Sequence, residues 1–142
     1  MGVIQTYLQK KRKFGGVSDA TYNHIDEWLA WYQNSVRKFH IYWIYDGIKS
    51  KKCERYKLGM AKKVCEDWAN LLLNEKVAMK AGTFDKRLKE ILERNNFQVR
   101  ANQLIEIAYA LGTGAFVEYL DASGGPVIDY IRANMIYPLS WD

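Results

Sequence analysis

The chain has few of the residues that build metal centres and catalytic sites. Its 142 residues include two cysteines, Cys53 and Cys65, and two histidines, His24 and His40. The cysteines stand twelve positions apart with no Cys-x-x-Cys pair, which excludes the usual zinc patterns. Both are read as free thiols in a reducing cytoplasm, with Cys65 a small apolar group beside Trp68. Neither histidine has a partner at a catalytic spacing, so each is read as a structural imidazole. No apolar run reaches the roughly 18 residues needed to cross a bilayer, and the N-terminus lacks the apolar region of a secretory signal. The chain is therefore read as soluble and cytoplasmic.

Carboxylate clusters are equally scarce. Glu66 and Asp67 are adjacent on a predicted helix and point about 100° apart, so they cannot close on one ion. Glu118, Asp121 and Asp129 can approach one another across a predicted hairpin, but a fourth ligand or a histidine is missing. Gly112-Thr113-Gly114 has the look of a phosphate loop. No Gly-Lys-Ser/Thr follows it, however, and it runs from helix to strand, the reverse of what a nucleotide loop needs. These absences predict no catalytic residue, no metal and no cofactor, and hence a protein that is not an enzyme.

What the sequence does have is apolar and aromatic material. Hydrophobic residues make up 49% and charged residues 26%, ordinary proportions for a globular domain, and the chain is long enough for one real core. Five tryptophans and ten tyrosines are on the rich side, and aromatics in excess of a core's needs are what protein interfaces use. The net charge is +5, which permits contact with nucleic acid without demanding it.

Leu58–Val77 carries the cleanest helical period. Met60, Val64, Trp68, Leu71 and Leu72 share one face, while Lys62, Lys63, Glu66 and Asn70 take the other. Burying those five side chains would contribute about 10 kcal/mol gross, so the expectation is a core face with other segments packed on it. Gly59 allows a change of direction before this helix, Asn74 is a plausible left-handed stop, and Val77-Ala78-Met79 reads as a short strand.

The remaining chain divides readily. Residues 1–17, with Lys10-Lys11-Arg12-Lys13 and two glycines, read as a flexible basic arm, and 18–142 as a single domain. Ser18 or Asp19 can cap a helix to about Asn34 with Ile25, Trp28, Leu29 and Tyr32 on its apolar stripe. Thr83 can cap a helix whose stripe is Phe84, Leu88, Ile91 and Leu92, with Lys86/Glu90 and Glu90/Arg94 as charge pairs. Asn95-Asn96 ends it, and a further helix runs over 97–111 with Ala101, Leu104, Ile105, Ala108 and Leu111 inward. Gly112 caps that helix. Ala115 to Leu120 and Val127 to Ile131 flank the turn Asp121–Pro126 as a hairpin, and Met135-Ile136-Tyr137 begins a further strand. The expected fold class is α+β, several amphipathic helices packed with antiparallel β-hairpins.

One hairpin has an unusual make-up. From Phe39 the run of aromatic and β-branched residues predicts a strand, and Asp46-Gly47 is a two-residue turn signal. Between Lys49 and Lys63 there are seven basic residues against the single acid Glu54. Lys49, Lys51, Lys52, Arg55 and Lys57 on the returning arm form a candidate basic patch facing DNA or a partner. The alternative is a solvated sheet edge guarded by lysines.

The phrases GMAKKVCEDWANLLLNEKV, FHIYWIYDG and IDYIRANMIYPLSWD carry a resemblance that covers about the whole chain. They are similar to the N-terminal portion of portal proteins from tailed phages of Gram-positive bacteria. The resemblance implies a subunit of a dodecameric ring at one capsid vertex, the head-tail connector through which double-stranded DNA is packaged and ejected. Its implied partners are other portal subunits, the terminase, capsid or scaffold proteins and head-completion proteins, with no membrane. The implied location is the virion, and the host cytoplasm during assembly. Within that family this portion corresponds to the start of the wing, so 18–142 is expected to be a wing-like domain truncated at its C-terminal end. The second function class is a small nucleic-acid-binding module that uses the hairpin around Asp46-Gly47.

Overall fold

The computed structural model describes residues 3–8, 10, 17–73 and 77–138. In chain order the elements are α1 (Val3–Tyr7), α2 (Asp19–Tyr32), α3 (Arg37–His40), β1 (Ile41–Tyr45), β2 (Ser50–Glu54), α4 (Met60–Leu72), α5 (Asp85–Arg94), α6 (Phe97–Leu111), β3 (Gly114–Leu120) and β4 (Pro126–Arg132). Short 3₁₀ turns lie at Gly82–Phe84 and Ala133–Met135. The class is α+β, with two antiparallel two-stranded sheets, β1–β2 and β3–β4, among the described residues.

Helix α6 is the axis of the fold, in contact with α2, α4, α5, β3 and β4. Its limits are set by backbone geometry that few residues adopt. Asn96 precedes it at φ 47° and Gly112 follows it at φ 81°, both in the left-handed region that asparagine and glycine tolerate best. The Gly112 N–H donates to the Ala108 carbonyl at 2.9 Å and closes the last turn. Ala101, Leu104 and Leu111 are buried, and Leu111 joins Ile25 of α2 and Ala133 in the central cluster. Ser18 caps α2, its hydroxyl accepting from the Thr21 N–H.

A single asparagine stitches the α5–α6 corner to the second hairpin. The buried Asn95 amide donates to the carbonyls of Ile91 (2.9 Å) and Pro126 (3.0 Å), and its oxygen accepts the Ile128 N–H at 3.0 Å. Two ion pairs flank it, Arg94 with Asp121 at 2.8 Å and Arg100 with Asp129 at 2.6 Å. Phe97 stacks on Phe116 at 5.4 Å between centroids.

Several details depart from the sequence expectations. Val77–Met79 is not a strand, and Met135–Tyr137 does not begin one. Instead Ala133 is buried, Tyr22 donates its hydroxyl proton to the Ile136 carbonyl at 2.7 Å, and Tyr137 stacks on Tyr22 at 5.6 Å, so the segment is held by side chains where no strand edge is offered. Thr83 makes no cap; it lies inside the 3₁₀ turn, and the Asp85 carboxylate accepts from the Ala81 N–H instead. The charge pairs on α5 are Arg87–Glu90 and Lys89–Glu93, because Arg94 reaches across to Asp121. Within 1–17, Val3–Tyr7 forms a helical segment, while Lys11, Arg12 and Lys13 lie outside the described residues, as does Asn74.

Candidate subunit and partner interface

The largest departure concerns α4. The five side chains read as a core face lie outward: Met60, Val64, Trp68, Leu71 and Leu72 are all at least half exposed, Leu71 at 68%. What meets α6 is the other side of the helix, where Ala69 is fully buried, Cys65 is half-buried, and Asn70 accepts a hydrogen bond from Asn102 at 3.0 Å. Small side chains let the two helix backbones approach, so the bulky stripe is turned away. Trp68 recovers part of its cover by stacking on Tyr109 at 6.0 Å. Lys63–Asp67 (2.8 Å) occupies the solvated side and holds the Lys63 ammonium above its usual pKa, while Lys62–Glu66 (3.5 Å) joins an exposed lysine to the half-buried Glu66.

Between α2, α4 and the end of α6 this exposed stripe borders a groove of about 470 Å³ lined by Trp28, Trp31, Tyr32, Met60, Val64, Cys65 and Tyr109 among others. Its floor is polar at one point. The Tyr32 hydroxyl donates to Glu106, and burial, reinforced by the Glu106 hydrogen bond and charge, pushes the Tyr32 pKa far above that of a free phenol. Burial, with the Glu106 charge behind it, also raises the Cys65 thiol and keeps it in the unreactive protonated form. A second recess, about 790 Å³, lies between residues 77–79, α5 and the start of α6, with Leu88, Leu92 and Phe97 on its walls.

The β1–β2 hairpin stands beside this groove. Phe39 packs on Trp31 at 5.1 Å, and the strands pair from Ile41 with Glu54 to Tyr45 with Ser50. Asp46 and Gly47 open a four-residue connection, not a two-residue turn, because the Asp46 carboxylate accepts from both the Ile48 (3.0 Å) and Lys49 (2.9 Å) N–H groups. The Lys49 and Ile48 donors hold that carboxyl below its usual pKa. Beyond Ile41, all of β1 is exposed, with Trp43 at 65% and Tyr45 at 68%.

The five residues of the basic patch have different surroundings. Lys49 lies in the connection, Lys51 opposite Ile44 and Lys52 opposite Trp43, all three exposed and without an ion pair among the described residues. Arg55 is engaged at the hairpin base, its guanidinium 5.0 Å from the Phe39 ring centroid and 4.8 Å from that of Tyr42, donating also to the Phe39 carbonyl. Lys57 pairs with Glu54 at 3.6 Å. His40, edge-on to the Phe39 ring, is buried with no hydrogen-bond partner on either ring nitrogen among the described residues. Nothing in its spacing signals that, since burial at a hairpin base depends on how Phe39 and Arg55 fold over it.

Asp121 is committed to Arg94 and to the Ser123 and Gly125 donors, which lower its pKa, and Asp129 is committed to Arg100, so Glu118, Asp121 and Asp129 do not converge. No group of three or more metal-ligating side chains occurs among the described residues. No helix among them is long and apolar enough to cross a membrane. The dominant surface is aromatic and aliphatic, rimmed by charge.

Residues 15–142 match the family model described as phage portal protein, SPP1 Gp6-like. No curated protein and no solved structure matches the chain.

Proposed function

The chain belongs to the SPP1 Gp6-like phage portal protein family, and from that premise we propose that it is a wing portion of the portal ring, acting through contact surfaces. Family membership itself gives a structural, non-enzymatic role in the phage portal, with oligomerisation and phage assembly partners. The finer reading is a subunit of a dodecameric connector through which double-stranded DNA is packaged and ejected. Its partners are other portal subunits, the terminase, capsid or scaffold proteins and head-completion proteins. Its place is the portal vertex of the virion, reached from the host cytoplasm during assembly.

The observation that carries the reading is the outward stripe Met60, Val64, Trp68 and Leu71, continuous with Trp28 and Trp31. Monomeric proteins rarely leave a contiguous apolar surface of this kind to water, and a ring subunit covers it with its neighbours. Immunogold labelling of virions with antibody to this chain tests the proposal. Label at one vertex is the expected result; label spread over the shell, or none on purified virions, overturns it.

A second reading places nucleic acid on the hairpin, favoured by Lys49, Lys51 and Lys52, which make no ion pair among the described residues, beside exposed Trp43 and Tyr45. It gives up two of the five cations, since Arg55 and Lys57 are engaged within the chain. It requires affinity for duplex DNA that falls steeply with salt, read by filter binding at two salt concentrations.

A further inference from the structure

We propose that the β1–β2 hairpin of one copy docks head to tail in the α2–α4 groove of a second copy, with Trp43 and Lys52 set against Trp31 and Glu27. The inference rests on the portal reading and names the surfaces through which its copies meet.

The hairpin is a surface that lacks a cover. A two-stranded ribbon is marginal in water by itself, and this one has α3 as its main neighbour while β1 beyond Ile41 lies exposed. The pairing of Trp43 with Lys52 puts a large ring and a cation side by side on one face, because directly opposed residues of an antiparallel pair point the same way. The complement lies at the groove and beside it, Trp31 lining the groove and Glu27 standing outside that lining on α2. Glu27 and Trp31 are four residues apart on α2 and share a side of the helix, next to Trp28. Neither Asp26 nor Glu27 makes an ion pair among the described residues, and neither does Lys52; each is exposed.

Within one chain these two surfaces stay apart. The hairpin is rooted at the groove, through Phe39 on Trp31, yet Trp43 remains 65% exposed and Val64 50%. A match between two different patches of one chain is heterologous, and such a contact repeats from copy to copy, giving a ring where the rotation between copies closes. Its reach is modest. A five-residue strand spans about 17 Å at ~3.3 Å per residue, so a single hairpin falls short of the ~800 Å² per partner of a standard interface. Isolated chains should therefore associate weakly, and closure, in which every copy uses both patches, supplies the rest.

Charge reversal tests this without touching the buried residues. Lys52→Glu and Glu27→Lys, each at an exposed position, should keep the circular dichroism of the parent. In sedimentation velocity at low salt, each should raise the concentration needed for self-association about tenfold, and the double variant K52E/E27K should restore it to within about threefold of the parent. A double variant no better than the singles overturns the inference, as does a parent chain that stays monomeric at about 1 mM, where even a weak contact is populated. Duplex DNA retarded by the parent, released by K52E and indifferent to E27K assigns the hairpin to nucleic acid and also overturns it. Oligomers that persist unchanged in all variants refute these surfaces while leaving the portal reading in place. Label away from a single vertex refutes the portal reading by a separate measurement.

Discussion

Leu71 and Ala69 offer a direct contest between two accounts of α4. If the bulky stripe were the core face, Leu71→Gln would remove a fully buried leucine, a loss of about 2–5 kcal/mol, and Ala69 would tolerate enlargement. The structure reverses that order. Leu71 is 68% exposed, so only about a third of its 1.5–3 kcal/mol burial gain is at stake, or about 0.5–1 kcal/mol. Helix propensity adds little, since glutamine and leucine are both good helix formers. Ala69 has no exposed surface where α4 crosses α6, and Ala69→Leu must push the two helices apart at a cost of about 1–3 kcal/mol. The assay is urea denaturation followed by circular dichroism, at a chain concentration low enough to keep single copies. With a slope of about 1.5–2 kcal/mol/M, Leu71→Gln should lower the midpoint by about 0.3–0.7 M, and Ala69→Leu by more. A Leu71→Gln loss of 3 kcal/mol alongside a silent Ala69→Leu would refute the argument that α4 turns its large side chains away from its own fold.

Other positions give independent checks. Asn95→Ala leaves the Pro126 carbonyl and Ile128 N–H without partners at a buried site, so stability should fall by about 3 kcal/mol and the Ile128 amide should exchange faster by NMR. Tyr32 has a folded pKa raised above its unfolded value near 10, so its contribution is complete below about pH 10 and is lost as pH rises further; Tyr32→Phe should flatten that alkaline decline and remove the most resistant phenol from the spectrophotometric titration. Asp46 is the opposite case, its folded pKa depressed, so its hold on the Ile48 and Lys49 amides is present above the usual carboxylate pKa and is lost as pH falls through the lower folded value; faster exchange of those amides in acid, absent in Asp46→Ala, is the expected record. A Cβ at Gly114 would lie 2.6 Å from Leu104 Cδ1 in the core, so Gly114→Ala should cost about 1–3 kcal/mol by thermal melting.

How far the sequence carried the fold varies with how local each signal is. Helix α6 was legible at both ends because Asn96 and Gly112 are themselves the turns that stop it, and the β3–β4 hairpin because Asp121, Gly124 and Pro126 set its connection. The Asp46-Gly47 signal placed a hairpin correctly but not its loop length, which depends on a carboxylate reaching two amides. Val77–Met79 and Met135–Tyr137 have the composition of strands, yet a strand needs an edge to pair with, and the distant segments decide whether one is there. In the candidate patch the run of basic residues is plain in the sequence, whereas the engagement of Arg55 over Phe39 and Tyr42 is not, because it joins residues up to sixteen positions apart.

The misread face of α4 has the most general cause. A helical period says that one side of a helix prefers to leave water, and it is silent about which molecule supplies the cover. In an ordinary monomer the chain itself does so, which makes the core reading the natural one. Here the buried apolar residues of the described chain are Ile25, Ala69, Ala101, Leu104, Leu111 and Ala133, half of them alanines, while the large side chains of α4, of β1 and of the outer side of α2 stay exposed. The apolar share of the composition is thus spent mainly outside the single copy's core. Membership of a family whose members oligomerise fits that distribution, and the proposal that neighbouring copies cover these faces accounts for it.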